Sequence, residues 1–210
     1  MKAHPDPHGT PDVTPIVPGS TLVNPVTGEL ATLTEAPWDT ADGRLVAELI
    51  IKPGGRFSGE HRHPTMRERF SGIDGELTVS FEGAVDVLPV GQTLEIVPGS
   101  WHDWWNASDR EVRVRVETVP GERFMHMVET LYGLAREGHT NEQGLPNLLQ
   151  LSVFGAEFAD VMEFRSPPPW AQRILFTVVG MVARPLGYRG TYPQFSRTTM
   201  APRDGAGEAP

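Results

Sequence analysis

His61, Arg62 and His63 stand together on one short stretch, Glu68 follows, and His102 comes later beyond Pro98-Gly99. Imidazole and carboxylate are metal-ligating groups. Two histidines at i and i+2 point to the same side only on a β-strand, where side chains alternate with a period of two. Pro64 ends that strand, so Glu68 can open the next one and return its carboxylate to the same spot. His102 follows a Pro-Gly turn and can bring a further imidazole from a distant strand. The chain contains no cysteine. Three imidazoles and one carboxylate therefore suit a borderline divalent metal with one or two positions left open. His61, His63, Glu68 and His102 are the expected metal ligands, and Glu68 doubles as the candidate catalytic base. His4 and His8 lie in a Pro/Gly-rich stretch and His126 lies on an expected helix without a matching carboxylate pattern; all three are read as non-ligands.

These ligands need a scaffold of strands. From Thr21 to Val119, short apolar or alternating runs are separated by turn signals, the pattern of an antiparallel barrel or sandwich. The runs are Glu29–Thr34, Arg44–Ile51, Met66–Ile73, Glu76–Phe81, Val85–Leu88, Thr93–Val97, Trp101–Asn106 and Val112–Thr118. Asp74-Gly75 is a hairpin signal, so the third and fourth runs are expected to pair. About eight strands at this spacing suit a double-stranded β-helix or jelly roll. Period-two counting puts Phe70 and Trp104 in the lumen beside the ligands as candidate substrate contacts, and Trp105 outside. Glu48 is a candidate inward acid near the substrate, or equally a residue of the wet face. Arg113 and Arg115 alternate with valines and read as a solvated outer face.

The spacing resembles the two signature motifs of the cupin superfamily. The first motif matches at Gly55, His61, His63, Glu68 and Gly75, and the second at Gly91, Gly99, His102 and Asn106. One departure is Val97, where the family usually has proline and this chain has Pro98 one residue later. The resemblance implies a mainly β, cupin-type jelly-roll barrel, a divalent transition metal with Fe first and Mn, Ni, Cu, Co or Zn as alternatives, and a homodimer. It also implies a metal-dependent enzyme of dioxygenase (oxidoreductase) type acting on a small organic molecule. A non-redox isomerase, cyclase or lyase, or a non-catalytic small-molecule-binding cupin, fits the same residues.

After Pro120-Gly121 the period changes to helical. Glu122–Arg136 places Phe124, Val128, Leu131 and Ala135 on one face, and Leu145–Phe164 reads as a second apolar helix. A third helix follows Ser166, read as its N-cap, and Pro167-Pro168-Pro169. Its uncharged stretch, Ile174–Ala183, is shorter than the roughly 20 residues needed to span a bilayer. It is expected to be buried or to form a dimer interface, in preference to lying on a membrane surface. The division expected is an N-terminal arm (1–20), a barrel (21–119), a C-terminal helical extension (120–200) and a disordered tail (201–210). The 210 residues carry a net charge of −9, which argues against nucleic acid, since that partner wants a basic patch. No apolar secretory segment or transmembrane run is evident, so a cytoplasmic protein is expected.

Overall fold

The alternation of apolar and polar residues folds into two antiparallel sheets that bury their apolar faces against each other. A computed structural model describes residues 16–57, 59–192 and 194–195. The strands are β1 (Thr21–Asn24), β2 (Glu29–Glu35), β3 (Leu45–Ile51), β4 (His61–Arg62), β5 (Arg67–Asp74), β6 (Leu77–Phe81), β7 (Ala84–Leu88), β8 (Thr93–Ile96), β9 (His102–Trp105) and β10 (Val112–Val119). Helices α1 (Glu122–Arg136) and α2 (Leu148–Glu157), a short strand β11 (Glu163–Phe164) and helix α3 (Pro169–Ala183) follow. One sheet has six strands in the order β1-β2-β3-β10-β5-β8, and the other has five in the order β11-β4-β9-β6-β7. Leu49, Phe70, Val114 and Ile96 from the first sheet, with Leu77, Val79 and Trp104 from the second, are buried between them. The fold is mainly β with a helical C-terminal part.

The expected pairing across Asp74-Gly75 is corrected. β5 pairs with β10 and β8, whereas β6 pairs with β7 and β9. The turn carries the chain from one sheet to the other, with Gly75 in the left-handed region at φ +72°. Each strand buries one face in either arrangement, so alternation alone does not distinguish a hairpin from a sheet-to-sheet corner. The tight hairpin is one turn later: Glu82 and Gly83 both have positive φ, and Phe81 stands opposite Ala84, as a two-residue loop requires.

The C-terminal part is also corrected in detail. The single helix expected over Leu145–Phe164 is capped by Asn147, whose Oδ1 accepts from the Gln150 amide at 3.1 Å, and it stops at Glu157. The chain then turns and adds β11 to the edge of β4. Helix α3 begins at Pro169 with Pro168 as its N-cap, not Ser166. Proline at the first helical position costs no hydrogen bond there. The greater part of the expected arm (1–15) and the expected tail (201–210) lie outside the described residues.

Helix α1 is held against β2 by a buried polar contact. Glu29 is 1 % exposed; its Oε2 accepts from Thr27 Oγ1 at 2.7 Å and from the Tyr132 hydroxyl at 2.9 Å. Oε1 is buried with no hydrogen-bond partner among the described residues. Burial outweighs these two bonds and pushes the carboxyl pKa up to about 7. A raised acid pKa means that the folded state holds a proton that the unfolded chain releases near 4.5. Stability from this group is therefore full below that value, falls as pH rises toward 7 and is flat above. Glu29→Gln should remove this slope. Relative to the parent, the variant gains on the order of 3 kcal/mol at most between pH 5 and pH 8. Urea unfolding of both proteins at the two pH values checks it; parallel curves would exclude a proton on Glu29.

Candidate metal centre

Three strands and the residue just past the first of them bring the four candidate ligands together. β4 is only two residues long, and His61 stands directly opposite His102 of β9 in the register. Their ring centroids are 4.3 Å apart. His63, just past β4, is 5.1 Å from each of the other two rings. Glu68 comes from β5 in the facing sheet, between Thr118 of β10 and Ile96 of β8. The crossing from β4 to β5 follows Pro64, as strand-ending proline predicts. All four side chains are buried, and one ligand atom from each can be chosen so that all lie within 4.8 Å of one another.

Backbone carbonyls orient the three imidazoles. His61 Nδ1 donates to the Gly59 carbonyl at 2.8 Å, His63 Nδ1 to that of Val161 at 2.8 Å, and His102 Nδ1 to that of Ser100 at 3.1 Å. A carbonyl only accepts, so each Nδ1 carries the proton and each Nε2 is left to face the centre, the tautomer that metal-bound histidine uses. Glu68 Oε2 lies 3.1 Å from His102 Nε2 and 3.4 Å from His63 Nε2. His63 Nε2 is nevertheless buried without a hydrogen-bond partner among the described residues. A buried polar atom in that state is costly, and its lone pair fits a bound cation. The donor set, three imidazoles and one carboxylate, fits a divalent first-row metal.

The charges agree with that use. Burial opposes ionisation of Glu68, but the close His102 and His63 imidazoles outweigh it and hold the carboxyl well below the usual carboxylate range. Burial, with the neighbouring His102 and His63, pushes His61 well below the ordinary imidazole value, so it stays neutral and its lone pair is available. For His102, burial pulls down, but the Glu68 contact prevails and the pKa rises.

A cavity of about 80 Å³ adjoins His61 and Glu68. Its walls are Leu45, Ala47 and Leu49 of β3, Phe70, Trp104, and one face of α1 carrying Phe124, Met125, Val128 and Tyr132. Phe70 and Trp104 are both on the inner side, with ring centroids 6.3 Å apart. Trp105 lies in a separate outer groove with Arg56 and Asp103. The inward placement of Glu48 is corrected: its side chain pairs with Arg113 on the outer face, because it alternates with the inward-facing Ala47 and Leu49. Asn106 is a turn residue, its Nδ2 donating to the Ile51 and Arg110 carbonyls. Val97, at the motif's departure, is half exposed, and the adjoining Gly99 amide bonds the His63 carbonyl at 2.8 Å. The turn thus keeps its tie to the ligand strand. Gly55 is needed for close approach, since a Cβ there would meet Ile51 Cγ2 at 2.8 Å and the Lys52 carbonyl at 2.9 Å.

His126 is on α1 and outside the ligand group, but a carboxylate does lie one turn away: its Nδ1 is 3.4 Å from Glu129 Oε2. His4 and His8 lie outside the described residues.

Sequence reasoning missed the contribution of the C-terminal part. The Val161 carbonyl orients His63, and Phe124 of α1 meets the His63 ring edge-on at 5.8 Å. β11 pairs with β4 so that Glu163 faces Arg62 and Phe164 faces His61. Glu163, 5 % exposed, accepts from Arg62 Nη2 at 2.7 Å and Arg173 Nη2 at 2.6 Å, and Arg62 stacks on Trp101. A carbonyl ligand-holder leaves no side-chain signature. The acid facing Arg62 is 101 residues away in sequence. Glu163→Ala should free β11 and weaken metal binding about 10- to 100-fold, the range for groups supporting a ligand. Chelator competition measures it; unchanged affinity with a lowered Tm would reduce β11 to mechanical support.

The cupin-domain family profile (Cupin_2) matches residues 47–119. No curated protein matches the chain significantly. Among solved structures, the chain is similar to the Cupin_2 domain of an XRE family transcriptional regulator from Enterobacter cloacae, at 21% identity over 43% of this chain and 95% of that one, with a TM-score of 0.38. It is also similar to a predicted oxalate decarboxylase from Thermotoga maritima, at 16% identity over 51% and 93%, TM-score 0.43. KdgF from Halomonas sp. is similar at 14% identity over 54% and 90%, TM-score 0.41. The profile match runs from β3 to β10, and the motif histidines and glutamate within it are gathered between the two sheets, so residues 47–119 are similar to a cupin domain.

Proposed function

We propose that this protein is a metal-dependent, dioxygenase-type oxidoreductase whose substrate is a small, largely apolar organic molecule with an enol or catechol-type oxygen. The observation that carries the reading is the convergence of four buried ligands at one wall of an apolar cavity. His61, His63, Glu68 and His102 would hold a divalent transition metal, with Fe(II) as the first choice. The metal, when bound, supplies Lewis acidity toward the substrate oxygen and redox chemistry toward O₂.

The chain's own residues do the rest. Glu68, kept ionised by its imidazole neighbours, is a base already at hand for the proton on the substrate oxygen. Phe70 and Trp104 would lie against the substrate body and exclude water. Helix α1 forms the removable wall, since a cavity of about 80 Å³ is well below the several hundred Å³ of typical ligand pockets. A larger substrate would need α1 to shift. The protein would work in the cytoplasm as a homodimer, for which β7 at the edge of the five-stranded sheet, with Val85 and Val87 exposed, offers a surface.

Protein purified without added metal should carry iron in elemental analysis. With a panel of small enols and catechols it should consume O₂. His61→Ala and His102→Ala should each lower that rate by more than the roughly 100-fold typical of supporting groups, and Phe70→Ala should raise KM more than it lowers kcat. Turnover under strict anaerobiosis would instead assign an isomerase, cyclase or lyase. Saturable quenching of Trp104 without product would assign a binding protein.

A further inference from the structure

Helix α3 is packed the wrong way round for a helix in water. Its buried residues are Gln172, Gly180 and Ala183. Its exposed face carries Trp170 (68 %), Ile174 (59 %), Val178 (52 %), Met181 (64 %) and Val182 (59 %). Spacings of four and three residues put these on one stripe, and Leu186 just beyond is 60 % exposed. A contiguous exposed stripe of large apolar side chains marks an interaction surface.

Charge says which surface covers it. The chain is acidic overall, at −9. Yet residues 164–203 contain six arginines and not one Asp or Glu. Four of the six lie among the described residues. Arg165 pairs with Glu60 and Arg173 with Glu163, both at 2.6 Å. Arg184, at the end of α3, has no acidic partner among the described residues, and Arg189 Nη1 donates only to the carbonyls of Arg184 and Tyr188. The segments outside the description cannot supply an apolar cover by composition: residues 1–15 and 196–210 hold only Met1, Val13 and Met200 as larger apolar side chains. A second copy of the chain is disfavoured, because a two-fold interface sets the same patch against itself. It would bring Arg184 and Arg189 of both copies together with no acid on the segment to answer them. An anionic bilayer answers both properties at once, taking the apolar stripe into the acyl boundary and the arginines against phosphates.

We propose that α3 is an in-plane anchor that docks the protein on an anionic lipid surface. Trp170 sits at headgroup level, as tryptophan does at membrane interfaces. The helix is 15 residues long, and no helix among the described residues is long and apolar enough to cross a membrane. The mode is therefore lying on the bilayer.

Co-sedimentation of the full chain with phosphatidylcholine vesicles, with and without phosphatidylserine, tests this. Binding should be about tenfold stronger or more with phosphatidylserine. It should fall when salt rises from about 0.1 M to about 1 M, where the screening length shrinks from about 10 Å to about 3 Å. Ile174→Glu with Val178→Glu should abolish it, and Arg184→Glu should weaken it on anionic vesicles. The arginine change touches no packed residue, so it carries the test if the double variant is unstable. Absence of vesicle binding, or binding indifferent to lipid charge and salt, would overturn the proposal. So would a dimer in light scattering that Ile174→Glu with Val178→Glu splits into monomers.

Discussion

Three imidazole N–H groups bonded to three backbone carbonyls are the constraint on which the centre depends. Without them His61, His63 and His102 would turn in their pockets, and the Nε2 lone pairs would not converge. Each carbonyl is itself fixed by a different part of the fold. Gly59 lies in the loop before β4, Ser100 in the turn before β9, and Val161 in the segment between α2 and β11. The barrel strands bring the rings together; the loops and the C-terminal segment decide which way they face. Geometry of this kind costs little to maintain when the carbonyls belong to rigid turns, and it is lost when the turns loosen.

The second constraint is dryness. The Glu68 side chain is only 4 % exposed, and a carboxylate in such surroundings stays charged only if something answers it. His102 and His63 answer in part, and one buried imidazole nitrogen still lacks a hydrogen-bond partner among the described residues. A metal cation would answer both, stabilising the carboxylate and taking up the lone pairs. The same apolar enclosure would strengthen every electrostatic contact with a bound cation. Glu29 shows the contrast. It is equally buried, but its hydrogen bonds come from neutral hydroxyls, and it holds its proton into the neutral range.

The meeting of His61, His63, Glu68 and His102 and the strand faces were legible in the sequence because both rest on local rules. The i, i+2 histidines, the glycines at turns and the period-two runs each depend on a few adjacent residues. Phe70 and Trp104 follow from the same counting. What could not be read depends on partners far apart in the chain. The Asp74-Gly75 turn has the composition of a hairpin but serves as a corner between sheets. Glu48 alternates correctly for either face, and only its ion pair with Arg113 decides. β11 is two residues long and carries no periodic signal; its place is set by pairing with β4 and by Glu163 meeting Arg62 and Arg173. The N-cap of α3 is Pro168 in place of the expected Ser166, because three successive prolines offer several equivalent first turns.

The C-terminal part therefore acts on two sides at once. Inward, α1 walls the cavity through Phe124, Val128 and Tyr132, and the α2–β11 segment orients His63. Outward, α3 packs on α2 and β11's Glu163 holds Arg173 at the start of α3. Arg62, between the two ligand histidines, shares that same glutamate. One buried carboxylate thus ties the ligand strand to the helix with the exposed apolar face. Any force on α3 reaches Arg62 through two charge-assisted hydrogen bonds, which are stronger and more directional than apolar packing. This is a short physical connection between the outer surface of the extension and the candidate metal centre, and it runs through residues that the barrel motifs do not include.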